Sequence, residues 1–258
     1  MRRPALRVFA TLAVAAGTWS TVAVTSTAAA GPVISHHPRI SAGTPRSAGW
    51  ASSNWSGYAI TGTGFTSVTG SWKVPSVAAS RKATYSSSWV GIDGFNDSNL
   101  IQTGTEQDFY NGSAHYGAWW EILPAAETVI PSISVSPGDT MSATITKGSG
   151  SSWTITLKDV TKNQSFTTVQ TYNGQETSAE WIQEAPSVGG HVATLANYSS
   201  PTLFDPGTVN GGNPGLTVAD SGVMIQHGSQ VSTPSNPDSD TDGFNVSYGS
   251  TAPAAPAS

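Results

Sequence analysis

Residues 87–109, SSWVGIDGFNDSNLIQTGTEQDF, contain two short apolar runs on either side of a turn-like stretch of Gly, Asn and Asp. The same texture extends from Gly49 to about residue 249, where runs of alternating aromatic or β-branched residues are separated by Gly, Ser, Asn and Pro. No run keeps the 3.6-residue period of a helix. Many short strands joined by Gly-rich turns are typical of an antiparallel sandwich or barrel. We therefore predict a single all-β domain over residues 49–249.

The N-terminus has the pattern of an export signal. Arg2, Arg3 and Arg7 precede an apolar run, and small residues follow with a cleavage position after Ala30. A membrane anchor is the alternative, but small and polar residues interrupt the run and no basic stop follows it. We predict a signal peptide over residues 1–30 and a secreted, extracellular protein.

The segment between this signal and the domain, residues 31–48, contains three prolines and no periodic apolar pattern. We predict that this N-terminal segment is a linker or a short pro-segment, and we expect its His36 and His37 to be solvated. The last stretch, STAPAAPAS at residues 250–258, is predicted to be a disordered tail.

Charge and cysteine content exclude several classes of partner. Only 10% of the residues are charged, and removal of Arg2, Arg3 and Arg7 leaves 8 of the 11 basic residues beside all 16 acidic ones. The resulting formal charge of −8 argues against nucleic acid and anionic membranes as partners. The absence of cysteine excludes disulfides, thiolate chemistry and a cysteine zinc site. We expect the protein to be a monomer. We also expect it to tolerate acid, because few positive charges are present to repel one another at low pH.

The common hydrolase motifs G-x-S-x-G and H-E-x-x-H are missing, and nothing local indicates a Ser-His-Asp triad around His115, His191 or His227. The stretch DSDTDG, Asp238–Gly243, resembles the start of a calcium-binding loop. However, its position 12 is Gly249 rather than the bidentate Glu, and no flanking helices are indicated. We interpret it as a polar turn before the last strand.

Three segments place carboxylates or amides among aromatic residues. Strand alternation puts on common faces Gln102 with Glu106, Glu180 with Glu184, and Trp119 with Glu121. In a chain with so few charges, each carboxylate on an apolar strand requires an explanation, whether catalysis, sugar binding or surface exposure. Polar residues beside Trp on sheet faces indicate a groove rather than a core.

At these residues the sequence resembles the glutamic peptidase family, the eqolisins, first known as pepstatin-insensitive acid proteases. The matching motifs, in the family's order, include SNWSGYAI, VTGSWKVP, SSWVGIDG, LIQTGTEQDF, YGAWWEILP and SAEWIQEAPS. The resemblance is dense over residues 52–205 and looser to about residue 249. The long export-type N-terminus and the lack of cysteine are more similar to the bacterial branch than to the cystine-containing fungal enzymes.

The resemblance implies a fold and an activity. The fold is an antiparallel β-sandwich of two curved sheets, a concanavalin-like jelly roll, with the active site in the concave face. The activity is that of an acid endopeptidase on polypeptide substrates, without a cofactor or metal. Gln102 and Glu180 match the family's catalytic pair. On this basis the N-terminal segment is predicted to be a pro-segment that the enzyme removes itself at low pH.

Further positions are predicted to bind substrate. Trp89, Asp93, Glu106 and Glu121 match residues near the family's groove, and Trp119 joins them because it shares a strand face with Glu121. One departure is the Gly that precedes AWW, at position 117, where the family often carries Asp. This departure affects the expected substrate preference and pH optimum but leaves the Gln–Glu pair intact.

The chemistry of the two side chains agrees with this assignment. An ionised Glu180 can take a proton from water and later deliver it to the leaving nitrogen. The amide of Gln102 can hold the water through its C=O and donate N–H to the oxyanion. Two alternatives remain open: a glycoside hydrolase that uses Glu121 and Glu180 as its carboxylate pair, and a carbohydrate-binding module in which Trp89 and Trp119 stack on sugar rings.

Overall fold

The structure is a computed structural model that describes residues 31–43, 48–198 and 201–258. The predicted signal peptide, residues 1–30, lies outside the described residues, as do residues 44–47 of the N-terminal segment. In the described ranges the regular structure consists of eighteen β-strands and one short 3₁₀ helix, Val218–Asp220. These ranges contain no helix long and apolar enough to cross a membrane.

The strands follow one another along the chain as β1 (Ile34–Ser35), β2 (Trp50–Ser52), β3 (Trp55–Thr61), β4 (Ser67–Lys73), β5 (Ser87–Ile92), β6 (Ile101–Tyr110), β7 (Ser113–Ile122), β8 (Thr128–Val129), β9 (Thr140–Lys147), β10 (Ser152–Asp159), β11 (Gln164–Thr171), β12 (Ser178–Glu184), β13 (Ser187–Val188), β14 (His191–Val192), β15 (Thr202–Val209), β16 (Ser221–Gln226), β17 (Ser229–Pro234) and β18 (Phe244–Tyr248).

Most of the strands form one hydrogen-bonded path in the order β11-β10-β9-β4-β15-β18-β17-β16-β3-β12-β5-β6-β7-β8, with β2 beside β16. The neighbours along this path are antiparallel, whereas β2 and β16 are parallel. The path curls into two layers, because β4, β9 and β10 on one side contact β5, β6 and β12 on the other. The predicted antiparallel β-sandwich is confirmed. A separate small sheet consists of β1, β13 and β14.

Strand β12, with the sequence SAEWIQE, lies inside the sheet and is buried on both faces. One face carries Trp181 into the core between the layers, where its indole N–H donates to the Thr69 carbonyl at 2.8 Å. A Cβ on Gly70 or Gly207 would lie 2.8 Å from this indole, so both neighbours must be glycine for the ring to pack. Truncation of a buried Trp typically costs about 3–5 kcal/mol. The core therefore fixes the strand whose opposite face carries Glu180.

Both ends of the described chain contact the domain. In the N-terminal segment β1 pairs with β13, and His36 is completely buried, so the expectation that His36 is solvated is wrong. At the other end, residues 250–258 form no strand or helix, but Ala254 accepts a hydrogen bond from Asn245 and Ser258 contacts Ser239. The disordered tail expected from the sequence stays a prediction.

Candidate active site

The two predicted catalytic residues lie on one face of four adjacent strands, β12, β5, β6 and β7. The strand register pairs Glu180 with Gly91, Gly91 with Gln102, and Gln102 with Glu121. Directly opposed residues of antiparallel strands point to the same face. We call these four residues the catalytic row. In this row Glu180 and Gln102 are two strand spacings apart, about 10 Å between Cα atoms, and Gly91, which lies between them, has no side chain.

The absence of a side chain at Gly91 has a steric reason. A Cβ there would lie 2.8 Å from Cζ3 of Trp89, so the Trp89 ring packs directly over this position. The same ring donates its indole N–H to Glu184 at 2.8 Å. In the adjacent row of the sheet, Trp89 faces Gly104, which in turn faces Trp119. Two predicted groove residues thus form an aromatic wall beside the catalytic row.

Glu180 is completely buried, and neither of its carboxylate oxygens has a hydrogen-bond partner among the described residues. Burial raises the pKa of Glu180 well above its usual value, and the negative charges of Asp93 and Asp97 raise it further. A carboxyl group with a strongly raised pKa in a polar cleft is characteristic of groups that give and take protons.

Gln102 is also completely buried, and its amide is held from one side only. Its Nε2 donates to Oε2 of Glu121 at 2.7 Å, whereas its Oε1 has no partner among the described residues. Burial raises the pKa of Glu121 to about 7, against the opposing effects of the His36 charge and of the His36 backbone N–H. Glu121 therefore orients the Gln102 amide and leaves its carbonyl oxygen free to bind another group.

Asp93 lies just beyond β5, outside the catalytic row, with a positive φ of 71°. Its carboxylate accepts hydrogen bonds from the Tyr172 hydroxyl at 2.6 Å and from the backbone N–H groups of Glu176 and Thr177 at 3.1 and 2.7 Å. These hydrogen bonds hold in place residues 172–177, the chain segment that leads into β12. The structure thus places Asp93 as a support for the strand of Glu180, and its predicted role in substrate binding stays a prediction.

The remaining predicted groove residues, Glu106 and Trp119, meet at His36. The imidazole ring stacks on Trp119 with 3.8 Å between ring centroids and 14° between planes. Its Nδ1 lies 2.8 Å from Glu184, and its Nε2 lies 3.1 Å from Glu106 and 3.5 Å from Glu127. We call the surrounding residues, Trp119, Glu184, Glu106 and Glu127, the histidine pocket.

The histidine pocket favours the charged imidazolium. Burial alone lowers the pKa of His36, but the carboxylates of Glu184, Glu106 and Glu127 outweigh it and raise the pKa well above 6.5. Burial raises the pKa of Glu106 to about 7, although the neighbouring imidazolium opposes this rise. His36, Glu106 and Glu127 also have the spacing of a metal site. Carboxylates near both ring nitrogens nevertheless fit a protonated ring, which donates from Nδ1 to Glu184 and lies within ion-pair distance of Glu106 at Nε2.

His36 and two residues of its pocket differ in how far the sequence indicated them. Glu184 stands on the same strand face as Glu180, so alternation already indicated a shared groove. Glu127 lies between short strands and shows no pattern that points to the site. His36 is 148 positions away from its partner Glu184, and such a contact cannot be inferred from local sequence.

Comparisons with known proteins agree with this geometry. The model of the Peptidase A4 family matches residues 53–248. Aspergillopepsin-2 from Aspergillus niger is 32% identical over 188 residues, a match that covers 63% of this chain and 66%, just under two thirds, of that relative. Scytalido-glutamic peptidase, solved with a transition state analog inhibitor, gives a TM-score of 0.66 at 25% identity and covers 76% of this chain and 98% of that chain. SCP-B, a member of the eqolisin family solved in a complex with the tripeptide Ala-Ile-His, gives 0.60 at the same identity and coverage.

Proposed function

We propose, because the chain belongs to the Peptidase A4 family, that it is a secreted acid endopeptidase in which Glu180 activates a water molecule and Gln102 stabilises the oxyanion. One observation carries this proposal. The register places Glu180 and Gln102 on either side of Gly91, on one face, and both residues have buried oxygen atoms without a partner among the described residues. A water molecule bound between them would satisfy both groups.

The steps follow from the two side chains. Glu180 in its ionised form, which its raised pKa makes the minor form at acid pH, takes a proton from the bound water while the water oxygen attacks the scissile carbonyl carbon. The carbonyl oxygen becomes an oxyanion, which accepts a hydrogen bond from the second N–H of Gln102, since the first is held by Glu121. Glu180 then delivers its proton to the leaving nitrogen, and the C–N bond breaks. The products are a carboxylic acid and an amine, and Glu180 is ionised again.

The surrounding residues position this chemistry. Trp89 and Trp119 provide an apolar wall that excludes bulk water, and burial strengthens the hydrogen bonds made there. Every residue named in the mechanism comes from one chain, so a monomer suffices. The mechanism uses polypeptide as the substrate and requires no cofactor.

The sugar-directed alternatives have less support. Glu121 and Glu180 are separated by three strand spacings, about 14 Å between Cα atoms, and Gln102 lies between them. Glycoside hydrolases hold two carboxyl groups on either side of the bond that they cut, whereas Glu121 is hydrogen-bonded to Gln102. A carbohydrate-binding module requires exposed aromatic faces, whereas the Trp89 ring is completely buried and donates its N–H to Glu184.

Gln102→Ala tests the oxyanion role. We expect about a 10²–10³-fold loss in kcat, because one positioned donor is removed from the transition state. The measurement is digestion of an acid-unfolded protein between pH 2 and pH 7, with pepstatin present. Gln170→Ala, on the outer strand β11, is the matched control and should retain full activity. Full activity in Gln102→Ala, or inhibition by pepstatin, would contradict the proposal.

We further propose that the N-terminal segment, residues 31–48, is a pro-segment that occupies the groove until it is removed. The His36 N–H lies 3.3 Å from both oxygens of Glu121, which also holds Gln102. The segment is also held by hydrogen bonds from Ile40 to Asn54 at 2.9 Å and from Arg39 to the Gly94 carbonyl at 2.9 Å. The Glu121 carboxylate thus contacts both the backbone of the segment and the side chain of Gln102.

The attraction between the histidine pocket and the segment depends on pH. Glu106 and Glu121, with pKa values raised to about 7, take up protons as the pH falls below neutral. Each proton removes a negative charge that attracts the imidazolium of His36.

His36→Ala tests whether the His36 side chain holds the N-terminal segment in the groove. We expect the wild-type chain to be latent at pH 6, and this variant to be active there and to show a shorter lag after transfer to pH 4. His37→Ala is the matched control, because the His37 side chain forms no hydrogen bond or ion pair within the described residues. Equal lags in the two variants and the wild type would contradict the proposed role of His36 in holding the segment.

Self-removal has its own test in the inactive Glu180→Gln chain. N-terminal sequencing after incubation at pH 4 should show residues 31–48 retained in this variant and lost in the wild type. Loss of the segment from purified Glu180→Gln would mean that another protease removes it.

A further inference from the structure

Three aspartates converge where β15 approaches the loop that precedes β18. Asp205 belongs to β15, and Asp238 and Asp242 belong to the loop. One carboxylate oxygen of each residue lies within 4.8 Å of the other two. Oxygen atoms that bind one Ca²⁺ at 2.3–2.6 Å are at most about 5 Å apart. The spacing of this aspartate cluster therefore fits a single ion.

A second observation concerns the buried member of the cluster. Asp238 is only 6% exposed, and its Oδ2 has no hydrogen-bond partner among the described residues. Its other oxygen accepts the backbone N–H of Asp242 at 3.1 Å. A Cβ on Gly243 would overlap Asp238 Oδ2 and lie 2.9 Å from Cγ of Asp205, so the unpaired oxygen faces Asp205. A buried carboxylate oxygen without a partner is costly unless a cation is bound.

Among the described residues no positive side chain pairs with the cluster. The ion pairs of these residues all lie elsewhere and involve His36, Lys147 and Lys162. Three carboxylates are thus held together at a cost that a divalent cation would remove.

We propose that Asp205, Asp238 and Asp242 form a calcium site. The donors are all carboxylate oxygens, which hard cations prefer, and no nitrogen or sulfur ligand is present in the cluster. Asp205 and Asp242 are half-buried, so water can complete the coordination shell. Ca²⁺ accepts such irregular geometry, whereas Mg²⁺ demands a near-ideal octahedron.

The site would join two parts of the chain that no disulfide links, because the sequence contains no cysteine. The Asp242 carbonyl accepts the N–H of Gly207 at 2.9 Å, and Gly207 lies against the indole of Trp181. A bound ion would therefore hold in place the Gly207 backbone, against which Trp181 of β12 packs. Its effect is on stability rather than on the catalytic step.

The test uses the full chain, treated with EDTA and titrated with CaCl₂ at pH 7, by calorimetry and by melting temperature. Neither readout depends on peptidase activity. We expect one Ca²⁺ per chain with Kd of about 10⁻⁴–10⁻³ M, and a rise in Tm of about 5 °C at 10 mM CaCl₂.

The matched variants are Asp238→Asn and Asp240→Asn, which remove the same charge from the same loop. Asp238→Asn should abolish the Ca²⁺ heat and the rise in Tm, whereas the exposed Asp240→Asn should keep Kd within about threefold. If Asp238→Asn does not fold, the half-buried Asp242→Asn serves instead. Absence of Ca²⁺ binding in the wild type, equal binding in Asp238→Asn or Asp242→Asn, or equal binding of MgCl₂ would overturn the proposal.

Discussion

Glu180→Gln is expected to fold normally and to lose about 10³-fold or more in kcat on peptide substrates. The substitution preserves the shape of the side chain but removes the group that takes a proton from water and returns it to the leaving nitrogen. General acid–base catalysis alone typically contributes about 10²–10⁴-fold, and the same residue serves both steps here. The measurement is kcat and KM on a quenched-fluorescence peptide at pH 4, on wild-type and variant chains from which an added protease has removed the N-terminal segment.

The control for this variant is Glu176→Gln, which makes the same chemical change on the connection before β12. The Glu176 side chain pairs with Lys147 and takes no part in the catalytic row. Its variant should retain activity within about twofold and lose little stability, because exposed ion pairs contribute about 0–1 kcal/mol. If folded Glu180→Gln retained more than a tenth of the wild-type activity, the proposed acid–base role of Glu180 would be wrong.

The domain is expected to be more stable at pH 4 than at pH 7. Burial raises the pKa of Glu106 and of Glu121 to about 7, and it raises the pKa of Asp108 well above its usual value. The folded state thus favours the protonated form of each group. The stabilisation is complete below the pKa of the unfolded chain, near 4–4.5, and is lost as the pH rises through the folded value.

For Glu106 and Glu121, the rise from 4.5 to about 7 corresponds to about 3 kcal/mol each. We therefore expect Tm to rise by about 10 °C or more between pH 7 and pH 4. The inactive Glu180→Gln chain avoids autolysis in this measurement.

The matched comparison for the pH effect is Glu121→Gln in the same inactive chain. A neutral side chain at this position cannot titrate, so the increase in Tm on acidification should shrink by about half. A Tm that falls between pH 6 and pH 3 would show instead that paired carboxylates dominate, and it would also exclude the acid tolerance expected from the small number of basic residues.

The class of fold was predictable because strand alternation and turn residues are local properties. In β6 and β12 the period of two also assigned Gln102, Glu180 and Glu184 to the correct faces. Which strands are neighbours is not local. A register slip of one residue would send every side chain to the opposite face, so the position of Gly91 between the catalytic residues required the structure or the family resemblance.

Residues that act through distant partners were the ones missed. His36 has no local apolar pattern around it, and its burial results from carboxylates that come from β6, β12 and the stretch before β8. The aspartate cluster shows the same limit. The turn at Asp238–Gly243 was visible in the sequence, but its third carboxylate, Asp205, is contributed by another strand.

The catalytic row has a consequence for how the protein would fail on heating. Glu180 and Gln102 are both paired to the same interior strand, β5, so their separation is set by backbone hydrogen bonds rather than by loops. Interior strands open only with the free energy of global unfolding, whereas loops and edges open locally at lower cost. Thermal inactivation should therefore coincide with the cooperative melting of the whole domain, without an earlier phase in which a folded chain has lost its chemistry.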